Sequence, residues 1–175
     1  MELMIRPAQA EDASNLLALL SQLQGESTTF MVAQDYEEID GLTQAENIDF
    51  LQTTTNNVIL VVASDTGELF GLISAAALPG RPRQAEIGVA VLQAYQGMGL
   101  AQALVEELLN WATSFSTVDV LRLTVQAHNQ AAIHIYEKFG FVRDEAENHN
   151  VLNNVGDTVA AFDMVLQLEK LAKEE

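Results

Sequence analysis

Apolar positions along the 175-residue chain recur with two different periods, and the order in which the periods follow one another predicts a fold. Leu3 to Arg6 is a short strand candidate closed by Pro7. From Asp12 to Gln24 the residues Leu16, Leu17, Leu19, Leu20 and Leu23 keep the spacing of one helix face, and Gly25 is expected to end that helix. The stretch from Glu26 to Gly41 has no clean period and is read as an acidic loop. Thr43 followed by Glu46 fits a capping box, in which each side chain satisfies an orphan N–H, so a second helix is expected to run to about Thr53.

Asn56-Asn57 turns the chain into a continuous apolar run, Val58 to Ala63, that suits a buried strand. Asp65-Thr66-Gly67 then reads as a hairpin turn, and an antiparallel partner runs from about Leu69 to Ala77. Beyond Pro79-Gly80 and Arg81-Pro82-Arg83, a third strand extends from about Gln84 to Val91. Leu100, Leu104, Leu108 and Trp111 stripe a long helix. Val120 to Gln126 is the next strand, and Asn129 is placed to cap a helix carrying Ile133, Tyr136 and Phe139 that Gly140 stops. A strand from about Phe141, a polar loop from Glu147 to Gly156, a last strand from about Thr158 to Leu168 and a charged tail complete the chain. Strand, two helices, three strands, helix, strand, helix and two strands make an α/β chain of the mixed α+β kind, a mixed sheet with helices on both faces.

Composition narrows the function. The length suits one domain, residues 1–175, with a real core. Absence of cysteine removes disulfides, thiolate metal sites and a thiol nucleophile together, and the spacing of His128, His134 and His149 suits no metal, so no metal is expected. A formal charge of −17 works against a nucleic-acid partner and favours a cationic one, or simply serves solubility. With neither a leader nor a long apolar span in view, a cytoplasmic chain without a membrane partner is expected.

The turn Gln96-Gly97-Met98-Gly99 carries the most chemistry. It joins a strand to a helix, and a helix start offers unpartnered N–H groups and a partial positive charge to an anion. Taken alone, the two glycines also fit a plain strand-to-helix connection. A nucleotide-hydrolysing loop does not fit, because no Lys-Ser/Thr follows the glycines, and a G-x-G-x-x-G motif fails at Gln102.

Two local motifs occur in order. One is Gln96-x-x-Gly99-x-Ala101, the other Asn129-x-x-Ala132-x-x-x-Tyr136-Glu137-Lys138-Phe139-Gly140-Phe141. Together they resemble the GNAT superfamily of acetyl-CoA-dependent N-acetyltransferases. The resemblance implies a mostly antiparallel, twisted sheet of about six to seven strands with a splayed central strand pair, and acetyl-CoA as cosubstrate. It further implies transfer of the acetyl group directly to a primary amine of a small molecule, peptide or protein. Val89 and Val91 would offer backbone groups to the pantetheine arm. The N–H groups of Gln96, Gly97, Met98, Gly99, Leu100 and Ala101 would hold the pyrophosphate, with Asn129 and Ala132 near the arm.

Tyr136 matches the family's general acid, although by periodicity alone it reads as an aromatic packed on an amphipathic helix. Glu86 is either the base or a solvated strand glutamate, and Glu26, Glu37, Glu38 and Asp40 either rim a site for a cationic amine or are merely solvated. No Lys or Arg lies between Arg83 and Arg122, so either CoA affinity is modest or Lys138 or Arg122 supplies charge across the fold. A non-catalytic acyl-CoA-binding sensor is the alternative function. The acceptor is not legible, and a homodimer is one of the oligomeric states left open.

Overall fold

The computed structural model describes residues 2–26, 40–152 and 156–170. Among them, strands β1 (Leu3–Pro7), β2 (Val58–Ser64), β3 (Leu69–Leu78), β4 (Arg81–Val91), β5 (Val120–Gln126), β6 (Val142–Leu152) and β7 (Thr158–Gln167) form one sheet in the order β1-β2-β3-β4-β5-β7-β6. Neighbours are antiparallel except β4 and β5, which run parallel. The helices are α1 (Ala13–Glu26), α2 (Gly41–Gln52), α3 (Leu100–Ser114) and α4 (Gln130–Lys138), with single 3-10 turns at Ala10–Asp12 and Gln93–Tyr95. The element order and the mixed, mostly antiparallel sheet are those expected from the sequence.

Five consecutive residues of β2, and five of β3, are buried, so both faces of the sheet are covered there. That is why Val58 to Ala63 reads as an unbroken apolar run. On α3 the buried residues are Leu104, Val105, Leu108 and Ala112, one helical stripe held against β2, β3 and β4. The C-terminal end of α3 is fastened by Lys170, whose ammonium donates to the carbonyls of Ala112 and Ser116.

Four boundaries differ from expectation. Gly25 does not stop α1; it keeps a negative φ, so the helix runs on to Glu26. The N-cap of α2 is Asp40, whose Oδ1 accepts the Thr43 N–H at 2.8 Å, so the capping signal sits one turn earlier than Thr43. β4 begins at Arg81 because a register shift after Ala77 lets Leu78 pair with Arg81 across the turn. The segment read as a polar loop from Glu147 continues β6 to Leu152, pairing with β7 beyond a bulge between Asp144 and Asn148. An edge strand with one neighbour is held by its ladder and does not need an alternating apolar face. Residues 27–39, including Glu37 and Glu38 of the expected acidic loop, lie outside the described residues.

Where β1 meets the first turn, Arg6 grips Asp12 with Nη1 at 2.6 Å and Nη2 at 2.9 Å, and the Gln9 N–H donates to the same carboxylate at 2.8 Å. The Arg6 guanidinium holds the Asp12 carboxyl below the usual carboxylate range. A lowered folded-state pKa stabilises the fold above the ordinary carboxylate range and ceases to do so as pH falls through the lowered value. Asp12→Asn is therefore expected to cost about 1.5–3 kcal/mol in urea unfolding at neutral pH, the range for charged hydrogen bonds, and to flatten the acid limb of stability.

Candidate active site

The parallel ladder between β4 and β5 is three residues long, Gln84 with Val120, Ala85 with Leu121 and Glu86 with Arg122. Past Glu86 the strands run on without pairing with each other, so the sheet forks. The closed end of the fork is locked by Asp119, whose N–H donates to the Arg83 carbonyl at 2.7 Å and whose carboxylate takes two hydrogen bonds from the Arg83 guanidinium at 2.5 and 3.0 Å.

Backbone direction in β4 follows from these bonds. Arg83 turns its carbonyl toward β5, while the Leu92 N–H donates the other way, to Phe70. The β3–β4 register is unbroken from Gly71/Val91 to Ala77/Ala85, so the odd residues of β4 all face β5. Beyond the last rung of the β4–β5 ladder, Val89 and Val91 thus turn their backbone polar groups into the open fork. The Val91 carbonyl is taken by Gln96 Nε2 at 3.1 Å, which leaves Val89 with both of its groups toward the gap.

At the open end, Tyr95 stacks on Phe70 with ring centroids 4.3 Å apart, and the Gln93 N–H donates to Glu26 at 2.9 Å, so the approach to the turn is fixed from α1 and β3. The Gln96 N–H is engaged with the Gln93 carbonyl, and Gly97 and Gly99 then take φ of 83° and 78°, a region costly for a residue with a Cβ. Gly99 is the N-cap of α3 and has no side chain to offer. Consequently, among the described residues, the N–H groups of Gly97, Met98, Gly99, Leu100, Ala101 and Gln102 find no backbone acceptor, the next bond being Ala103 to Gly99 at 3.0 Å. Six donors at the start of a 15-residue helix make an anion cradle.

A cavity of about 210 Å³ lies beside the fork, lined in part by Leu78, Arg81, Glu86, Arg122, Thr124 and Asp163. Arg122 is not near the turn to lend it charge. Its Nη2 is 2.8 Å from Asp144 and 3.6 Å from Asp163, and the hydrogen bond to Asp144 pushes the guanidinium pKa up. Thr124 Oγ1 donates to Asp163 at 2.7 Å, which completes a network spanning β5, β6 and β7. Glu86 is exposed, with no ion-pair partner among the described residues.

The second motif places Asn129 at the cap of α4 and Ala132, Tyr136 and Lys138 along it. Asn129 caps the helix through the Ala132 N–H at 3.3 Å, and Ala132 packs against the core. Tyr136 is 6% exposed, meets Phe141 edge-on at 5.7 Å, and burial pushes its phenol up from 10.0 to about 12. The phenol therefore stays protonated throughout the neutral range, and the fold loses stability only as pH rises from about 10 through about 12, where the unfolded phenol would ionise and the buried one resists. Lys138 ends the helix and reaches Gln102 Oε1 at 3.2 Å, beside the first turn of α3. Of the two cations that the sequence offers to the turn, Lys138 and Arg122, only Lys138 stands at the helix start. Glu26 and Asp40 are committed elsewhere, to Gln93 and to the α2 cap. Arg81 and Asp163 share the cavity lining, and nothing in their local sequence signals it. Among the described residues no group of three or more His, Asp or Glu side chains converges as a metal site.

A model of the acetyltransferase (GNAT) family matches residues 19–141. An L-amino acid N-acetyltransferase of Escherichia coli is 31% identical over 106 residues, 59% of this chain and 65% of that protein, so the match spans less than two thirds of the relative. A GNAT-family acetyltransferase from Streptococcus pneumoniae superposes with a TM-score of 0.84 at 24% identity, covering 95% of this chain and 99% of that one. Spermidine N-acetyltransferase from Vibrio cholerae, solved with CoA and spermine, superposes with a TM-score of 0.72 at 19% identity, covering 95% of each chain.

Proposed function

Because the chain belongs to the acetyltransferase (GNAT) family, we propose that it transfers the acetyl group of acetyl-CoA directly to a primary amine. The observation that carries this is the row of free N–H groups from Gly97 to Gln102, set at the open end of a fork in the sheet. The residues fit the cosubstrate: the row receives the pyrophosphate, and Val89 presents a free backbone edge to the pantetheine arm. Related proteins support an amine acceptor, one by its name and one by its bound spermine.

Acetyl-CoA supplies an activated carbonyl; the chain supplies placement and proton transfer. Glu86, in the cavity at the last rung of the β4–β5 ladder, takes a proton from the acceptor ammonium and passes it to solvent. The amine nitrogen then bonds to the thioester carbon, loses its second proton, and the carbon–sulfur bond breaks. Tyr136, a phenol protonated at neutral pH, gives its proton to the leaving sulfur and regains one from solvent. Two protons leave nitrogen and one arrives on sulfur, so each turnover releases one proton. No enzyme thiol is required, in keeping with a chain that has none.

Lys138 supplies the charge missing from the loop itself. Lys138→Ala is expected to weaken CoA binding about 2- to 5-fold, the range for an exposed charge contact, and to reduce its salt dependence, as isothermal titration at two ionic strengths would register. Release of free CoA thiol from acetyl-CoA across a panel of amines tests the activity.

A further inference from the structure

The cavity beside Glu86 is unevenly provided with charge. Of its two arginines, Arg122 is spent on Asp144 and Asp163, and Asp163 also receives the Thr124 hydroxyl. Of the two arginines that open β4, Arg83 is spent on Asp119. Arg81 and Glu86 remain, one cation and one carboxylate on the same cavity, neither with an ion-pair partner among the described residues. The rest of the lining includes the aliphatic side chains of Leu78 and Leu123.

A cavity of about 210 Å³, equivalent to a sphere roughly 7 Å across, is smaller than the usual 300–1,000 Å³ of ligand sites and suits a small acceptor. Its two uncommitted charges complement a zwitterion. The net charge of −17 attracts a polycation to the chain, but within the cavity a polycation meets Arg81 as a like charge, whereas a zwitterion offers Arg81 a carboxylate to pair with. We propose that the acceptor is a free amino acid with an aliphatic side chain. Glu86 receives its amine, the Arg81 guanidinium pairs with its carboxylate as a planar fork, and the side chain lies against Leu78 and Leu123. The proposal rests on acetyl transfer at this site and adds the acceptor class, with Arg81 as the residue that selects it.

The test is thiol release from acetyl-CoA with L-leucine, L-leucinamide and spermidine, in the unaltered protein, Arg81→Gln and Arg83→Gln. Leucinamide keeps the amine and side chain and lacks the carboxylate charge. In Arg81→Gln the leucine-to-leucinamide ratio of kcat/KM is expected to fall by about tenfold through a raised KM for leucine. Arg83→Gln, which breaks only the pair with Asp119, is expected to keep that ratio. A ratio unmoved by Arg81→Gln, or spermidine outrunning leucine in the unaltered protein, overturns the assignment while leaving acetyl transfer standing. No thiol release from these or any other amines overturns both.

Discussion

Tyr136→Phe is expected to lower kcat by about 10²-fold or more, the loss typical of removing a positioned general acid, while CoA binds as before. The expectation follows from where the phenol sits. The ring is packed in the core and set edge-on against Phe141, and Phe keeps every one of those contacts, so the variant should fold. What disappears is one proton donor, whose pKa burial raises from 10.0 to about 12. A phenol that only filled space would leave kcat untouched, because its hydroxyl has no hydrogen-bond partner among the described residues whose loss could disturb the fold. Stopped-time thiol assays with a titration of CoA separate the two: full turnover with normal CoA binding would remove Tyr136 from the chemistry.

The second large effect is expected at Glu86. Its carboxylate sits at the last rung of the β4–β5 ladder, on the strand face shared with Gly88, and faces the cavity that Arg81 and Asp163 also line. Glu86→Gln preserves size and removes the base, so kcat/KM for the amine should fall by about 10²-fold and the pH–rate profile should change shape. Glu86→Asp, which keeps a carboxylate one methylene further back, should restore part of the rate. A profile in Glu86→Gln that superposes on that of the unaltered protein would place the base elsewhere, in water or in a neighbouring carboxylate.

Much of this arrangement is legible in the linear sequence because local patterns carry it. The apolar run of β2, the stripe of Leu104 and Leu108 on α3, and the two glycines before α3 each specify their own conformation. The misses have physical causes of two kinds. Asp40 and Thr43 are both good caps three residues apart, and only the accepted Thr43 N–H decides between them. The sequence from His149 to Leu152 does not alternate apolar with polar residues, and an edge strand held by its pairing with β7 does not require it to. The site divides in the same way. The N–H row from Gly97 follows from a strand, two glycines and a helix in succession. The commitments of Arg122 to Asp144, of Thr124 to Asp163 and of Lys138 to Gln102 join residues 22, 39 and 36 positions apart, and no local period encodes them. Arg81 and Arg83 illustrate the consequence: adjacent on the same face by sequence parity, one is locked to Asp119 and the other is left to the cavity.

The most direct measurement combines a melting curve with and without acetyl-CoA and an assay of free thiol released when amines are added. Acetyl transfer at the β4–β5 fork predicts that acetyl-CoA raises Tm and that at least one primary amine releases CoA thiol well above the amine-free blank. A raised Tm with no thiol release from any amine would instead mean a chain that holds acyl-CoA without turning it over, and would contradict the account.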